Sequence, residues 1–325
     1  MVTDNAAAPV VGTDPKSAQD RTVCYFQGGY RALGEAKVPI MTHAFLYGTA
    51  VFEGIRAYWN ADEKQMYALR VREHLVRLRN SSKIMLMAEL PSVEEFAEIV
   101  LEVLRRNRFQ EDAYVRPSVY KNTEAIGVRL HGLTHDFYVL SIPMGDYIDV
   151  NNAIRTCTVS WRRTSDVSMP SRSKITGSYV NPAFSKSEAG LNGFDEAIVL
   201  TSDGHVAEGS AENLFMVRDG VLITPSVTED ILEGITRAGI IEIAGHLGIP
   251  VKERSIDRSE LYIADEVFLC GTGAQVSPVG SVDHRAVGDG RIGPLTRQIS
   301  KTYFDAVRGK LPAFRHWVLP VYKGE

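Results

Sequence analysis

Apolar positions along the first half of the chain recur with two periods. Between residues 72 and 87, Leu75, Leu78 and Met85 fall near helical spacing. A second helical run, Phe96, Ile99, Val103 and Leu104, follows a Ser92/Glu95 capping-box pair. Short strand-like runs flank these helices at 65–70 and 113–120, and a further apolar strand is predicted at 137–143. Helices set between strands in this way predict a small α+β domain. The second half has a different rhythm, with short strands expected at 153–161, 195–200, 205–208, 213–217, 221–223 and 266–270. Asp203-Gly204 and Asp219-Gly220 mark turns among them, and helices are expected at about 178–190, 235–247 and 294–308. Gly145-Asp146-Tyr147 is the best candidate for the junction. The expected organisation is a tail over 1–20, a small domain over 21–144, a linker over 145–152 and a larger domain over 153–325.

Composition narrows the function classes. With 325 residues, 44% hydrophobic and 23% charged, the chain is long enough for two domains with their own cores. A formal charge of -4 leaves no broad basic field, which argues against a nucleic-acid partner. Cys24, Cys157 and Cys270 are odd in number and far apart, matching neither a disulfide framework nor a metal knuckle. A cytoplasmic protein is the expectation, with no membrane segment, no bound metal and a mobile tail over 1–20.

The candidate chemistry begins with Lys174, in Ser173-Lys174-Ile175-Thr176-Gly177-Ser178-Tyr179, 34 residues before Glu208 in Glu208-Gly209-Ser210-Ala211-Glu212-Asn213. An amine and a carboxylate, one for each end of a flat heterocycle, are what pyridoxal phosphate chemistry requires. Each also has an ordinary reading, as a surface lysine and a solvated turn. Gly234-Ile235-Thr236-Arg237 opens a helix whose first amides suit a phosphate, unless Gly234 is only a turn residue. Gly271-Thr272-Gly273 offers a hydroxyl and close backbone approach. Arg72, just after a strand, offers fixed positive charge, although an arginine there also reads as surface. In the strand at 113–120, Tyr114 and Arg116 are two apart and share a face, an arrangement suited to a carboxylate or to simple packing and pairing. Tyr47 and Phe52 are aromatic residues beside glycines and read equally as core.

Taken in order, His43 through Arg56, Arg72-Glu73-His74 with Arg77-Leu78, Tyr114-Val115-Arg116-Pro117, Lys174 through Tyr179, Glu208 through Phe215, Gly234-Ile235-Thr236-Arg237 and Gly271-Thr272-Gly273-Ala274-Gln275 resemble one family. It is that of the branched-chain amino-acid aminotransferases, of fold type IV, and the resemblance runs over roughly residues 22 to 310. It implies a small N-terminal α/β sandwich, a larger C-terminal domain with a barrel-like sheet core, an active site between them and a homodimer or higher homo-oligomer. It implies pyridoxal 5′-phosphate as cofactor, attached to Lys174, with Glu208 at the ring nitrogen and Tyr179 at the ring oxygen. Arg72, the amides of Ile235 and Thr236 and the Thr272 hydroxyl would hold the phosphate.

For the substrate, the resemblance assigns the α-carboxylate to Tyr114 and the amides of Thr272 and Gly273. Arg116 would take the distal carboxylate of glutamate, helped by Tyr47 of the second subunit, while Phe52, Tyr147 and the neighbouring subunit's Val128 line the side-chain pocket. The implied reaction moves the amino group of L-leucine, L-isoleucine or L-valine to 2-oxoglutarate by a ping-pong cycle through pyridoxamine phosphate. The rivals on the same fold are D-amino-acid aminotransferase, (R)-amine aminotransferase and aminodeoxychorismate lyase. Tyr114-Val115-Arg116-Pro117 together with Gly234-Ile235-Thr236-Arg237 argues against them. Met144, where some members carry tryptophan, and Arg129, beside Val128, bear on substrate range.

Overall fold

A computed structural model of the chain describes residues 21–322; the tail expected over 1–20 lies outside the described residues. Two compact units form. One comprises 21–145, Ser173–Ser178 and 305–322, and the other Asp146–Arg172 and Tyr179–Phe304. Two segments that the sequence reading ran into the second half, 173–178 and 305–322, thus pack with the first.

The first unit is built on an 8-stranded antiparallel sheet, ordered Val318–Pro320, Gln65–Leu69, Ile55–Asn60, Ala113–Lys121, His135–Pro143, Val23–Phe26, Gly29–Ala32. The strand Ala50–Phe52 also pairs with Ala113–Lys121. Helix Val71–Ile84 and helix Val93–Asn107 pack on one another, the latter buttoned at its start by the expected capping box of Ser92 and Glu95. The second helix buries Phe96, Val100, Val103 and Leu104 against His135–Pro143 and Val23–Phe26. Pro117 sits inside the long strand without loss. Val115 faces Ile55 and Ser118 faces Phe52, so the partner chain breaks at Glu53-Gly54 where the missing proline N–H would fall.

Ser173–Ser178 lies against that same region. Phe52 N donates to Lys174 O at 3.0 Å, Thr176 N to Ala50 O at 2.8 Å and Gly177 N to Gly48 O at 3.1 Å. Val51 and Ile175 form an isolated bridge. The approach is close enough to require glycine: a Cβ on Gly48, whose φ is +66°, would lie 2.6 Å from Gly177 Cα.

The second unit holds a 9-stranded mixed sheet, ordered Val206–Gly209, Glu196–Leu200, Ile154–Arg162, Gln275–Val282, Glu266–Gly271, Asn213–Arg218, Val221–Thr224, Val251–Glu253, with Arg285–Ala286 paired to Gln275–Val282. Its two ends approach where Val206 N donates to Ile256 O at 2.8 Å beside a bridge between His205 and Asp257. That partial closure wraps the sheet around Ile198, Leu200, Leu214, Met216, Ile256 and Leu269, all buried in one cluster. Among the described residues no helix is long and apolar enough to cross a membrane.

Substituting Gly48→Ala puts a side chain into a left-handed backbone position and onto Gly177. We expect a loss of about 1–3 kcal/mol in the stability of the first unit, read by urea denaturation, with proteolytic sensitivity appearing at 173–178. Wild-type stability would show that the segment is not clamped there.

Candidate active site

In the first unit the strand break at Glu53-Gly54 and the incoming Lys174 segment create one chemical surface. Tyr114 and Arg116 share a strand face as expected, and Arg116 Nε and Nη2 donate to the Tyr114 hydroxyl at 3.1 and 3.0 Å. The Phe52 ring carries the Arg116 guanidinium at 4.5 Å and the Lys174 Nζ at 5.2 Å from its centroid. Gly54 is glycine because a Cβ would meet the Tyr114 ring at 2.8 Å. Lys174, Phe52, Tyr114 and Arg116 are therefore brought together. Tyr47 lies apart, on an exposed surface, its hydroxyl accepting from Gly127 N at 3.1 Å in the loop that carries Val128.

Arg72 is not brought to this surface by its helix. It is 62% exposed and paired with Glu94, nine positions, or about two and a half turns, from Ser81. Ser81 Oγ accepts from Lys174 N at 3.2 Å, so Arg72 lies on the helix face away from Lys174. The cation on the Lys174 side is Arg77, one turn from Ser81 and 13% exposed. Its Nε and Nη2 donate to Glu53 Oε1 and Oε2 at 2.6 and 2.8 Å, and His74 Nδ1 reaches Oε2 at 2.7 Å. Burial would raise the Glu53 carboxyl, but Arg77 and His74 outweigh it and hold it at about 2. Burial also pushes His74 below its ordinary value, against the pull of Glu53.

In the second unit Glu208 is buried and ion-paired to Arg163, Nη2 to Oε1, at 2.9 Å. Its Oε2 accepts from Asn213 Nδ2 at 3.0 Å and from Leu232 N at 3.2 Å. Asn213 Nδ2 also donates to Leu232 O at 3.0 Å. Gly234 is then explained by packing rather than by a tight turn: its φ is -70°, and a Cβ there would collide with Asn213 Oδ1. The helix Ile235–His246 that follows has no side-chain cap, which suits the amides of Ile235 and Thr236 to an anion. Thr272 and Gly273 form the tip between strands Glu266–Gly271 and Gln275–Val282, and a Cβ on Gly273 would stand 3.4 Å from Tyr147. Tyr179 stands at the N-cap position of helix Val180–Leu191 without a side-chain cap bond and is half-buried.

These arrangements have counterparts among known proteins. Residues 50–282 match the model of the amino-transferase class IV family. A probable branched-chain-amino-acid aminotransferase of Aquifex aeolicus is 48% identical over 299 residues, covering 92% of this chain and 96% of that protein. The chain belongs to the branched-chain-amino-acid aminotransferase family. Its fold is fold type IV. The crystal structure of a branched-chain aminotransferase from the archaeon Thermoproteus uzoniensis with norvaline superposes with a TM-score of 0.89 at 42% identity, covering 93% of this chain and 99% of that one. The branched-chain amino acid aminotransferase from Thermobaculum terrenum, in its PLP (holo) form, gives 0.90 at 35% identity, covering 94% of this chain and 100% of that one.

Pyridoxal phosphate is the cofactor of this aminotransferase family, and each unit offers donors that fit it: an amine at Lys174 and a half-buried arginine at Arg77 in the first, a buried carboxylate at Glu208 and an uncapped helix start at Ile235 in the second. Glu53, Arg77, Arg163 and Asn213 escaped the sequence reading. Glu53, Arg77 and Asn213 stand inside runs that resemble the family, but no local signal tells which partner each meets.

A second buried carboxyl lies close to Glu208. Glu212 Oε2 accepts from Ala211 N at 3.0 Å, and burial, with Glu196 and Glu208 nearby, pushes its carboxyl up to about 8 against the pull of Lys186. Because the unfolded carboxyl ionises near 4.5, the folded state binds the extra proton, and stability drains away as pH rises from about 4.5 to about 8. Glu212→Gln should gain on wild type across that window, by up to about 1.4 kcal/mol for each pH unit, in urea titrations at about pH 5 and pH 9. A pH-independent difference would mean that Glu212 is ionised in the fold.

Proposed function

We propose that the protein transfers the amino group of L-leucine, L-isoleucine or L-valine to 2-oxoglutarate, giving the branched-chain 2-oxo acid and L-glutamate in a ping-pong cycle. The observation that carries this reading is the Phe52 ring with Lys174 Nζ and Arg116 both over it. An apolar surface and a guanidinium side by side suit one pocket to an aliphatic chain and to a carboxylate in turn.

Pyridoxal phosphate, when bound, supplies an aldehyde for amine exchange and a ring that takes up the electron pair left on the substrate α-carbon. Lys174 anchors through its amine and moves the proton at that carbon. Glu208, ion-paired to Arg163, would hold the proton on the ring nitrogen, and Tyr179 would donate to the ring oxygen. The amides of Ile235 and Thr236, the Thr272 hydroxyl and Arg77, in place of Arg72, hold the phosphate. Tyr114 and the amides of Thr272 and Gly273 take the α-carboxylate, and Arg116 the distal one. Phe52 and Tyr147 line the side-chain pocket.

Val128 and Tyr47 of a second subunit would complete that pocket, so we propose a homodimer or higher homo-oligomer. Support comes from Ile40, Phe45, Leu46, Ile126 and Val128, large apolar side chains exposed on the first unit. We assign the larger unit as the main cofactor-binding domain, and the protein to the cytoplasm, where its three buried free cysteines would persist as thiols.

Stopped-flow spectra of the holoenzyme mixed separately with L-leucine, D-alanine, (R)-1-phenylethylamine and aminodeoxychorismate test the reading. L-leucine should convert the bound cofactor fastest, to the pyridoxamine form, with 4-methyl-2-oxopentanoate as product. Faster conversion by D-alanine, or pyruvate release from aminodeoxychorismate, would move the protein to another activity of the fold. Lys174→Ala should lower turnover by about 10²–10⁴-fold or more while leaving the circular dichroism intact. Normal turnover in that variant would end the assignment. Arg116→Gln should weaken 2-oxoglutarate by about 1.5–3 kcal/mol, the worth of a charge-assisted hydrogen bond, and leucine far less. Equal losses for both substrates would make Arg116 a structural residue.

A further inference from the structure

Glu53 is fully buried, yet it is charged and serves no reacting atom in the scheme above. Its backbone explains how it comes to be there. Glu53 N donates to Pro117 O at 2.9 Å at the break between strands Ala50–Phe52 and Ile55–Asn60, and the kink turns the carboxylate toward helix Val71–Ile84. Both carboxylate oxygens are committed: Oε1 to Arg77 Nε, and Oε2 to Arg77 Nη2 and His74 Nδ1. The fork grips Arg77 by its Nε–Nη2 edge, which sets the plane of the guanidinium and leaves Nη1 pointing away from Glu53. His74 is held below its ordinary range by burial, so it donates Nδ1–H as a neutral ring and keeps the carboxylate from rotating off the fork. An apolar core would be served as well by apolar residues of similar volume. A buried ion pair of fixed plane instead gives a cation whose direction is fixed before any ligand arrives.

Building on the functional reading above, we infer that Glu53 is a positioning residue: through Arg77 it aims the cation that meets the cofactor's phosphate, and so sets the preference for pyridoxal 5′-phosphate over pyridoxal. Neutralising Glu53 has two opposed effects. It frees the positive charge of Arg77, which favours phosphate, and it releases the guanidinium plane, which disfavours it. The structure assigns the larger effect to orientation, because the guanidinium is held along one whole edge.

The test is a direct binding titration of apoprotein with pyridoxal 5′-phosphate and, separately, with pyridoxal, followed by absorbance. Glu53→Gln should weaken pyridoxal 5′-phosphate by about tenfold or more and leave pyridoxal within about twofold of wild type. Adding Glu53→Gln to Arg77→Gln should change neither affinity further, since Glu53 acts only through Arg77. Equal weakening of both ligands would make Glu53 merely structural and overturn the inference. So would unchanged or tighter phosphate binding, which would make Glu53 a neutralising partner only. If Glu53→Gln does not fold, Glu53→Asp keeps the charge, draws the carboxylate back by one methylene and is read by the same comparison. A wild-type protein that bound neither compound would remove the functional reading itself, and this inference with it.

Discussion

The contact that brings Lys174 to Phe52 is backbone to backbone. Six residues, Ser173–Ser178, lie along Ala50–Phe52 with hydrogen bonds on both sides of the Val51–Ile175 bridge. Two glycines, Gly48 and Gly177, make the approach possible. The bond from Phe52 N to Lys174 O fixes the lysine's main chain to the residue whose ring its amine overlies. Thr176 adds a side-chain tie, its hydroxyl donating to Gly48 O at 2.8 Å. The Lys174 amine, at the end of a flexible stem, is thus carried on a main chain tied at several points, which limits its freedom to the side chain alone.

Charge is buried in both units, and in each case the geometry shows why it can be. Glu53 is answered by Arg77 and His74, Glu208 by Arg163, Asn213 and Leu232, and Glu196 by Lys186 at 2.6 Å. A carboxylate stripped of water is costly unless every lone pair finds a donor. Glu53 and Glu208 meet that condition through arginine forks or amide donors. Glu212 does not, and it responds by holding its proton instead. The same unit therefore gives one buried carboxyl an arginine and two amide donors and leaves its near neighbour, among the described residues, without a cation of its own, a difference of partners rather than of burial, since both are buried.

Most helices and many strands were legible in the sequence, because amphipathic periods and a capping box are local signals. The helix at 93–107, with Ser92 and Glu95 reciprocally bonded, is the clearest case. Other elements had no local signal. Ile55–Asn60 is buried on nearly every residue, so it shows no alternation, and Gly54 interrupts it from Ala50–Phe52. Gln275–Val282 contains Pro278 and Gly280 and reads as a loop, yet Pro278 pairs with Phe268 inside the sheet. For the candidate site, residue types and order were readable, whereas helix facing was not. Arg72 and Arg77 are both arginines on one helix, and only the contact between Ser81 and Lys174 tells which of them lies on the amine's side. The reason for Gly234 is invisible without its neighbour, here Asn213.

Asn213 also explains how a flat ligand could be measured from end to end. One amide nitrogen bonds Glu208 Oε2 and Leu232 O, and the oxygen of the same amide fills the space where Gly234 would carry a Cβ. Leu232 N returns to Glu208, closing the loop. The carboxylate and the helix start at Ile235 are therefore held at one separation by a side chain of two rotatable bonds. Pyridoxal phosphate is rigid between ring nitrogen and the carbon bearing its phosphate arm, so two groups that take its ends, as proposed for Glu208 and the amides of Ile235 and Thr236, would lose affinity if their spacing drifted. A spacing fixed by strand pairing alone would move with every register fluctuation of the sheet. Fixed by Asn213, it moves only if a buried amide gives up both of its bonds, and that places the cost of misalignment in the fold rather than in the bound ligand.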